Sequence, residues 1–197
     1  MIAMGPVAHI SFHLPAEHDP ELLERLRRLL EDFTPRVQML EVDGAVLDLT
    51  GALRFFDRDA RGITELIQLR TLAYYGLRSS AAAAPNLLLA AMACALTPPG
   101  RRSVIEDSPA AIDAFLRPRP VQEIPGVGAR TAAMLTEYGL HTAGDVADVS
   151  ALTLQRLLGA RAGRTLHERA HGRDTTTVDP PRAGQPQCRT PLRPRRT

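Results

Sequence analysis

Lysine and tryptophan are both absent from this 197-residue chain, so all 24 of its basic residues are arginine. Cysteine is nearly absent as well. Cys94 and Cys188 stand far apart with no CxxC, which excludes a disulfide scaffold and a cysteine-built zinc site. No apolar run approaches the roughly 20 residues that a membrane-spanning helix needs. Met1 to Leu14 lack the basic start and cleavage site of a secretory leader, so the reading is of a cytoplasmic protein with no membrane partner. Aromatics make up only 4%; Leu53, Phe55 and Phe56 are expected to pack a hairpin against a helix, with Tyr74 and Tyr75 placing one ring inward and one outward. What is present is globular: 44% hydrophobic and 23% charged residues, enough for one domain or two small ones.

Charge is unevenly placed. Residues 1–60 hold 6 Arg against 11 acids and residues 61–197 hold 18 Arg against 11, so a total of +2 divides into −5 and +7. The basic end suits a polyanion, although an all-arginine set is also what codon bias produces.

Val7 to His13 alternates as a strand before Pro15. Asp19-Pro20-Glu21 then opens a helix whose leucines (22, 23, 26, 29, 30) form one stripe. Arg36–Leu40 and Gly44–Leu49 flank a short turn and read as a hairpin. Ala60–Tyr75 is an amphipathic helix closed by Gly76, Arg78–Ala84 a small-residue strand, and Asn86–Leu96 a helix apolar enough to be buried. This order predicts an α/β fold: a small mixed sheet with its helices on one face. After Arg117-Pro-Arg-Pro120 the pattern is all helical, with Ala129–Tyr138 ended by Gly139, a capping box at Thr142-Ala-Gly-Asp145, Ser150 before Ala151–Leu158, and Gly172 ending a helix from Ala162. Beyond Asp179 five prolines and five arginines without an acid predict a disordered tail.

Ile124-Pro125-Gly126-Val127-Gly128-Ala129-Arg130-Thr131 carries the most weight. Two glycines let backbone approach a phosphate closely, and the N–H groups of the following helix start point at the anion. The sequence resembles a helix-hairpin-helix element, which reads phosphate rather than bases. Pro125, Gly126, Val127, Gly128, Arg130 and Thr131 are the candidate contacts, and Arg161, Gly163 and Arg164 offer a second Gly-and-Arg turn. A tight interhelical turn without a ligand is the bland alternative.

The runs Leu40-Glu-Val-Asp43-Gly-Ala-Val-Leu-Asp48-Leu-Thr50-Gly51, Ser79 to Ala90 with its Pro85-Asn86, Pro99-Gly100, the PGVG hairpin and Ala170-His-Gly-Arg-Asp174 together resemble Y-family (DinB/UmuC-type) translesion DNA polymerases. The resemblance implies a palm over residues 1–117, a helix-hairpin-helix thumb over 118–175 and a tail over 176–197. It also exposes losses. Such polymerases hold two Mg²⁺ ions with three carboxylates, because in-line transfer needs both attacking and leaving oxygens neutralised. Asp43 remains, but Gly44 stands where the family has Glu, and His9-Ile-Ser11-Phe-His13 stands where it has an Asp-containing strand. Leu87 and Ala91 replace lysines near the triphosphate, and about 22 residues fill the place of the fingers. What is left resembles palm plus thumb, truncated and ImuB-like in its missing carboxylates. The expected function is non-specific binding of damaged or primer-template DNA, as a pseudoenzyme accessory to repair with a repair-protein partner. The alternatives are residual nucleotidyl transfer, with Mg²⁺ at Asp43 and further ligands from a partner chain, and a zinc hydrolase built on His167-Glu168-Arg169-Ala170-His171, an HExxH match with no His or Glu further on. His9, His13 and His18 are read as ordinary surface or edge histidines.

Overall fold

The computed structural model describes residues 5–17, 19, 21–40 and 43–178; the expectations for His18, Pro20, Cys188 and the tail beyond Val178 lie outside them. Five strands form one mixed sheet in the order β2-β3-β1-β4-β5: β1 (Val7–Phe12), β2 (Val37–Met39), β3 (Gly44–Asp48), β4 (Ser79–Ala84) and β5 (Arg102–Val104). All neighbours are antiparallel except β4 and β5. Beside them lie α1 (Leu22–Glu31), α2 (Thr50–Phe55), α3 (Ala60–Tyr75), α4 (Leu87–Ala95) and α5 (Pro109–Leu116). A 3-10 turn at Val121–Glu123 then leads into α6 (Ala129–Glu137), α7 (Ala143–Asp148), α8 (Ala151–Leu158) and α9 (Ala160–Ala170). Among the described residues no helix is long and apolar enough to cross a membrane.

Strand alternation sends Ala8, Ile10, Phe12, Ala45, Leu47 and Ala81 to one face, where they meet Leu26, Leu29 and Leu30 of α1 and Ile63 and Ile67 of α3. Fully burying each leucine or isoleucine contributes about 1.5–3 kcal/mol. The opposite residues Val7, Val46, Ala82 and Ala84 belong to a second core with α4. Helices on a single face are therefore corrected to helices on both. The reason is β4, whose six small residues are all buried and let α4 approach closely. Being apolar all round, α4 must be covered on its other side too. Its core continues through Leu116, Ile124, Leu135, Leu154 and Leu166, so α4 joins the sheet to the helical part.

Capping follows the sequence. Asn86 accepts from the Leu89 N–H at 3.0 Å, Thr142 and Asp145 form the reciprocal box, and Ser150 accepts from the Thr153 N–H. The first helix runs from Leu22, with the Asp19 carboxylate accepting from the Glu21 N–H at 2.9 Å just before it. The last starts at Ala160 instead of Ala162, because Gly159 turns with φ +90 and both ends α8 and opens α9. Phe56 is half-buried against the core, its ring centroid 5.3 Å from that of Phe33, whereas Phe55 is 81% exposed, contrary to expectation. Tyr74 points outward and the Tyr75 hydroxyl reaches the Arg25 carbonyl.

Candidate nucleic-acid interface

Buried Ile124 anchors the hairpin, and the Val127 N–H closes it by donating to the Ile124 carbonyl at 3.0 Å. Gly126 takes φ +88, a conformation that costs other residues about 1–2 kcal/mol. Gly128 is the N-cap of α6 in ordinary extended backbone (φ −79, ψ 168), with no side-chain cap bond. A Cβ on Gly128 would meet nothing within 4 Å. Neither conformation nor packing therefore requires a glycine there, while the exposed start of α6 presents its first N–H groups without a covering side chain.

The two turns named from the sequence come together. Pro125, Gly126, Val127 and Thr131 form one wall of an open cavity of about 390 Å³, and Leu158, Arg161 and Thr165 form the other. Gly128, Arg130 and Arg164 are exposed outside its lining. Gly163 has a packing role: it is buried, and a Cβ there would collide with the backbone of Leu154 and Gln155, so it seats α9 on α8. Sequence reading missed Arg169, whose Nη1 donates to the Pro125 carbonyl at 2.5 Å. Only its i+8 spacing from Arg161 hinted that it shares that face.

At the end of the sheet, Ser11 sits in register between Gly44 and Ser80. The Asp43 carbonyl accepts from the Phe12 N–H at 2.6 Å, which fixes the backbone of this acid. His13 Nε2 lies 3.0 Å from the Ser80 hydroxyl. Among the described residues no three His, Cys, Asp or Glu side chains cluster to hold a metal. Hard divalent cations need several oxygen ligands, and one carboxylate with hydroxyls does not fit a two-Mg²⁺ cage. Leu87, an apolar side chain with no charge to offer a phosphate, is half-buried against the core around α4. His9 is a further correction: it stands on the central strand β1 with its Nδ1 buried and, among the described residues, without a hydrogen-bond partner, and this burial depresses its pKa.

The HExxH side chains lie close together, with His167 Nδ1 3.9 Å from Glu168, but among the described residues they form no cluster that could hold a metal. His167 and His171 pack edge to face with centroids 4.6 Å apart, and Arg173 forms an ion pair with Glu168 that holds its carboxyl below the usual range. A general base tied to a guanidinium is a poor one, so the zinc-hydrolase alternative is withdrawn.

Two family models match this chain: the impB/mucB/samB family over residues 17–95, and the thumb domain of DNA polymerase iota over residues 122–174. Among curated relatives, DNA polymerase IV of Caulobacter vibrioides is 38% identical over 81% of this chain and 39% of its own length, and that of Moorella thermoacetica 33% over 90% and 44%. The chain is Y-family polymerase-like. It spans less than half the length of these two relatives. A DinB-family error-prone DNA polymerase from Sulfolobus solfataricus superposes with a TM-score of 0.70 over 88% of this chain and 68% of that one, at 16% identity. An insertion ternary complex of Dbh DNA polymerase gives 0.69 over 80% and 45%, at 23% identity. At such identities the likeness concerns the fold alone: a palm-type mixed sheet followed by a helical thumb. The Y-family thumb match, 122–174, takes in the whole hairpin and both walls of the cavity.

Proposed function

We propose that this Y-family-like chain binds DNA through the backbone of its thumb hairpin, without sequence preference, and does not itself transfer nucleotides. Gly128 carries the first part: a glycine with no conformational or packing demand, at an uncapped helix start, fits close approach by a phosphate. The register of Ser11 beside Gly44 supports the second, because both positions where the family has acids lack one and Asp43 is left alone. The division proposed is a palm over 1–117, a thumb over 118–175 and a tail beyond, and Pro125, Gly126, Val127, Gly128, Arg130, Thr131, Arg161 and Arg164 are the proposed contacts. Such a protein would serve repair or translesion synthesis in the cytoplasm as an accessory factor beside a catalytic partner.

Primer extension tests the reading directly. With Mg²⁺ or Mn²⁺ the purified chain should bind primer-template and incorporate nothing. Incorporation that Asp43→Ala abolishes would establish the nucleotidyl-transfer alternative instead.

A further inference from the structure

The last turn of α9 is tied down at both ends. At one end Arg169 donates to the Pro125 carbonyl, and a Cβ on Gly126 would run into the same guanidinium, so the hairpin rests directly on Arg169. At the other end the buried Asn86 amide does two things: its Oδ1 caps α4 at Leu89, and its Nδ2 donates to the Gly172 carbonyl at 2.7 Å. Gly172 takes φ +68, and a Cβ there would meet Ile112 at 2.6 Å and Leu89 at 3.6 Å, so this turn is seated on both α4 and α5.

The geometry points to Arg169 as a positioning residue: the last turn of α9 is a strut, fixed to the palm by Asn86 and to the hairpin by Arg169, that sets where the start of α6 points. This rests on the DNA-binding reading above. A guanidinium is a planar fork of donors suited to holding a carbonyl in one place. The Pro125 carbonyl lies in a turn, outside any helix ladder, and Arg169 supplies its partner. An arginine used in this way lends order to the hairpin and does not spend its charge on a phosphate.

Salt dependence separates the two roles. Each phosphate contact contributes about 0.9 to the slope of log affinity against log salt on duplex DNA. Affinity would be measured over a salt series for the wild type, Arg169→Met, Arg169→Lys, Asn86→Ser and Arg130→Met. Exchange rates of the Val127 and Ala132 amides would be measured without DNA. Arg169→Met should weaken binding about threefold to tenfold, the worth of one hydrogen bond, with the slope unchanged and faster hairpin exchange; Lys should recover part of both. Asn86→Ser keeps a cap for α4 but cannot reach Gly172, and should loosen the same amides. Arg130→Met should flatten the slope by about 0.9. A slope flattened equally by Arg169→Met, with hairpin exchange unaltered, would overturn the strut. If the wild type binds no DNA, the functional reading fails and exchange alone decides: faster exchange in Arg169→Met supports the strut, unchanged exchange refutes it.

Discussion

Replacing each hairpin glycine by alanine distinguishes structural need from contact with a ligand. At Gly126 the φ of +88 costs alanine about 1–2 kcal/mol. The new Cβ also pushes Arg169 from the Pro125 carbonyl, adding up to about 1.5 kcal/mol, the low end for a charged hydrogen bond because the side chain is only half-buried. Gly126→Ala should therefore lower stability by about 1–3.5 kcal/mol. At Gly128 the backbone already suits alanine and the Cβ enters open space. Losing the N-cap preference for glycine and gaining from a stiffer unfolded chain are each about 0.5–1 kcal/mol and opposite in sign. Stability should stay within about 0.5 kcal/mol of the wild type. The same methyl stands where a phosphate must approach the α6 N–H groups, so duplex affinity should fall about tenfold, or 1.4 kcal/mol. Thermal unfolding by circular dichroism and anisotropy of a labelled duplex measure the two. A Gly128→Ala protein that is as stable as the wild type and binds within about twofold of it would refute the argument that this open position faces a phosphate.

Gly163→Ala should cost about 1–3 kcal/mol by forcing α9 off the backbone of α8; an unchanged melting temperature would contradict the buried role assigned to it. His9 should shape the acid limb of stability. Burial depresses its pKa below 6.5, so the unfolded chain takes up a proton near pH 6.5 that the folded chain refuses, and stability is full above that pH and declines below it. His9→Leu should flatten this decline in urea titrations between pH 7 and 5 and leave the part due to His171, whose pKa burial also lowers; an identical acid limb would count against it. Asp43→Ala should leave duplex affinity unchanged, because Asp43 lies at the sheet end and not at the hairpin; loss of affinity in the anisotropy assay would place DNA against the palm.

Local chemistry made much of the fold legible before any coordinates. The Thr142 and Ser150 caps and the Gly76 and Gly139 stops each act within a few residues, so a sequence window contains them. Ser108 caps α5 with Pro109 in its first turn, an equally local device, whereas the three-residue strand β5 exists only through its parallel pairing with β4. That α4 covers the face opposite α1 and α3 depends on six small residues in β4, whose uniformity erases the alternation that usually tells the faces apart. At the candidate site, the hairpin and the lost acids were readable residue by residue. Arg169 and Asn86 were not, since one bonds across 44 positions and the other across 86. The basic charge of Arg169 even suggests the opposite role to the one its geometry gives it.

The most direct test of the account is the affinity of the wild-type chain for two duplexes of unrelated sequence over a salt series. Hairpin binding to phosphates predicts equal affinities and a linear fall of log affinity with log salt, at a slope of about −0.9 per phosphate contacted. A flat salt response, a strong preference between the two sequences, or no binding by a cooperatively folded chain would contradict it.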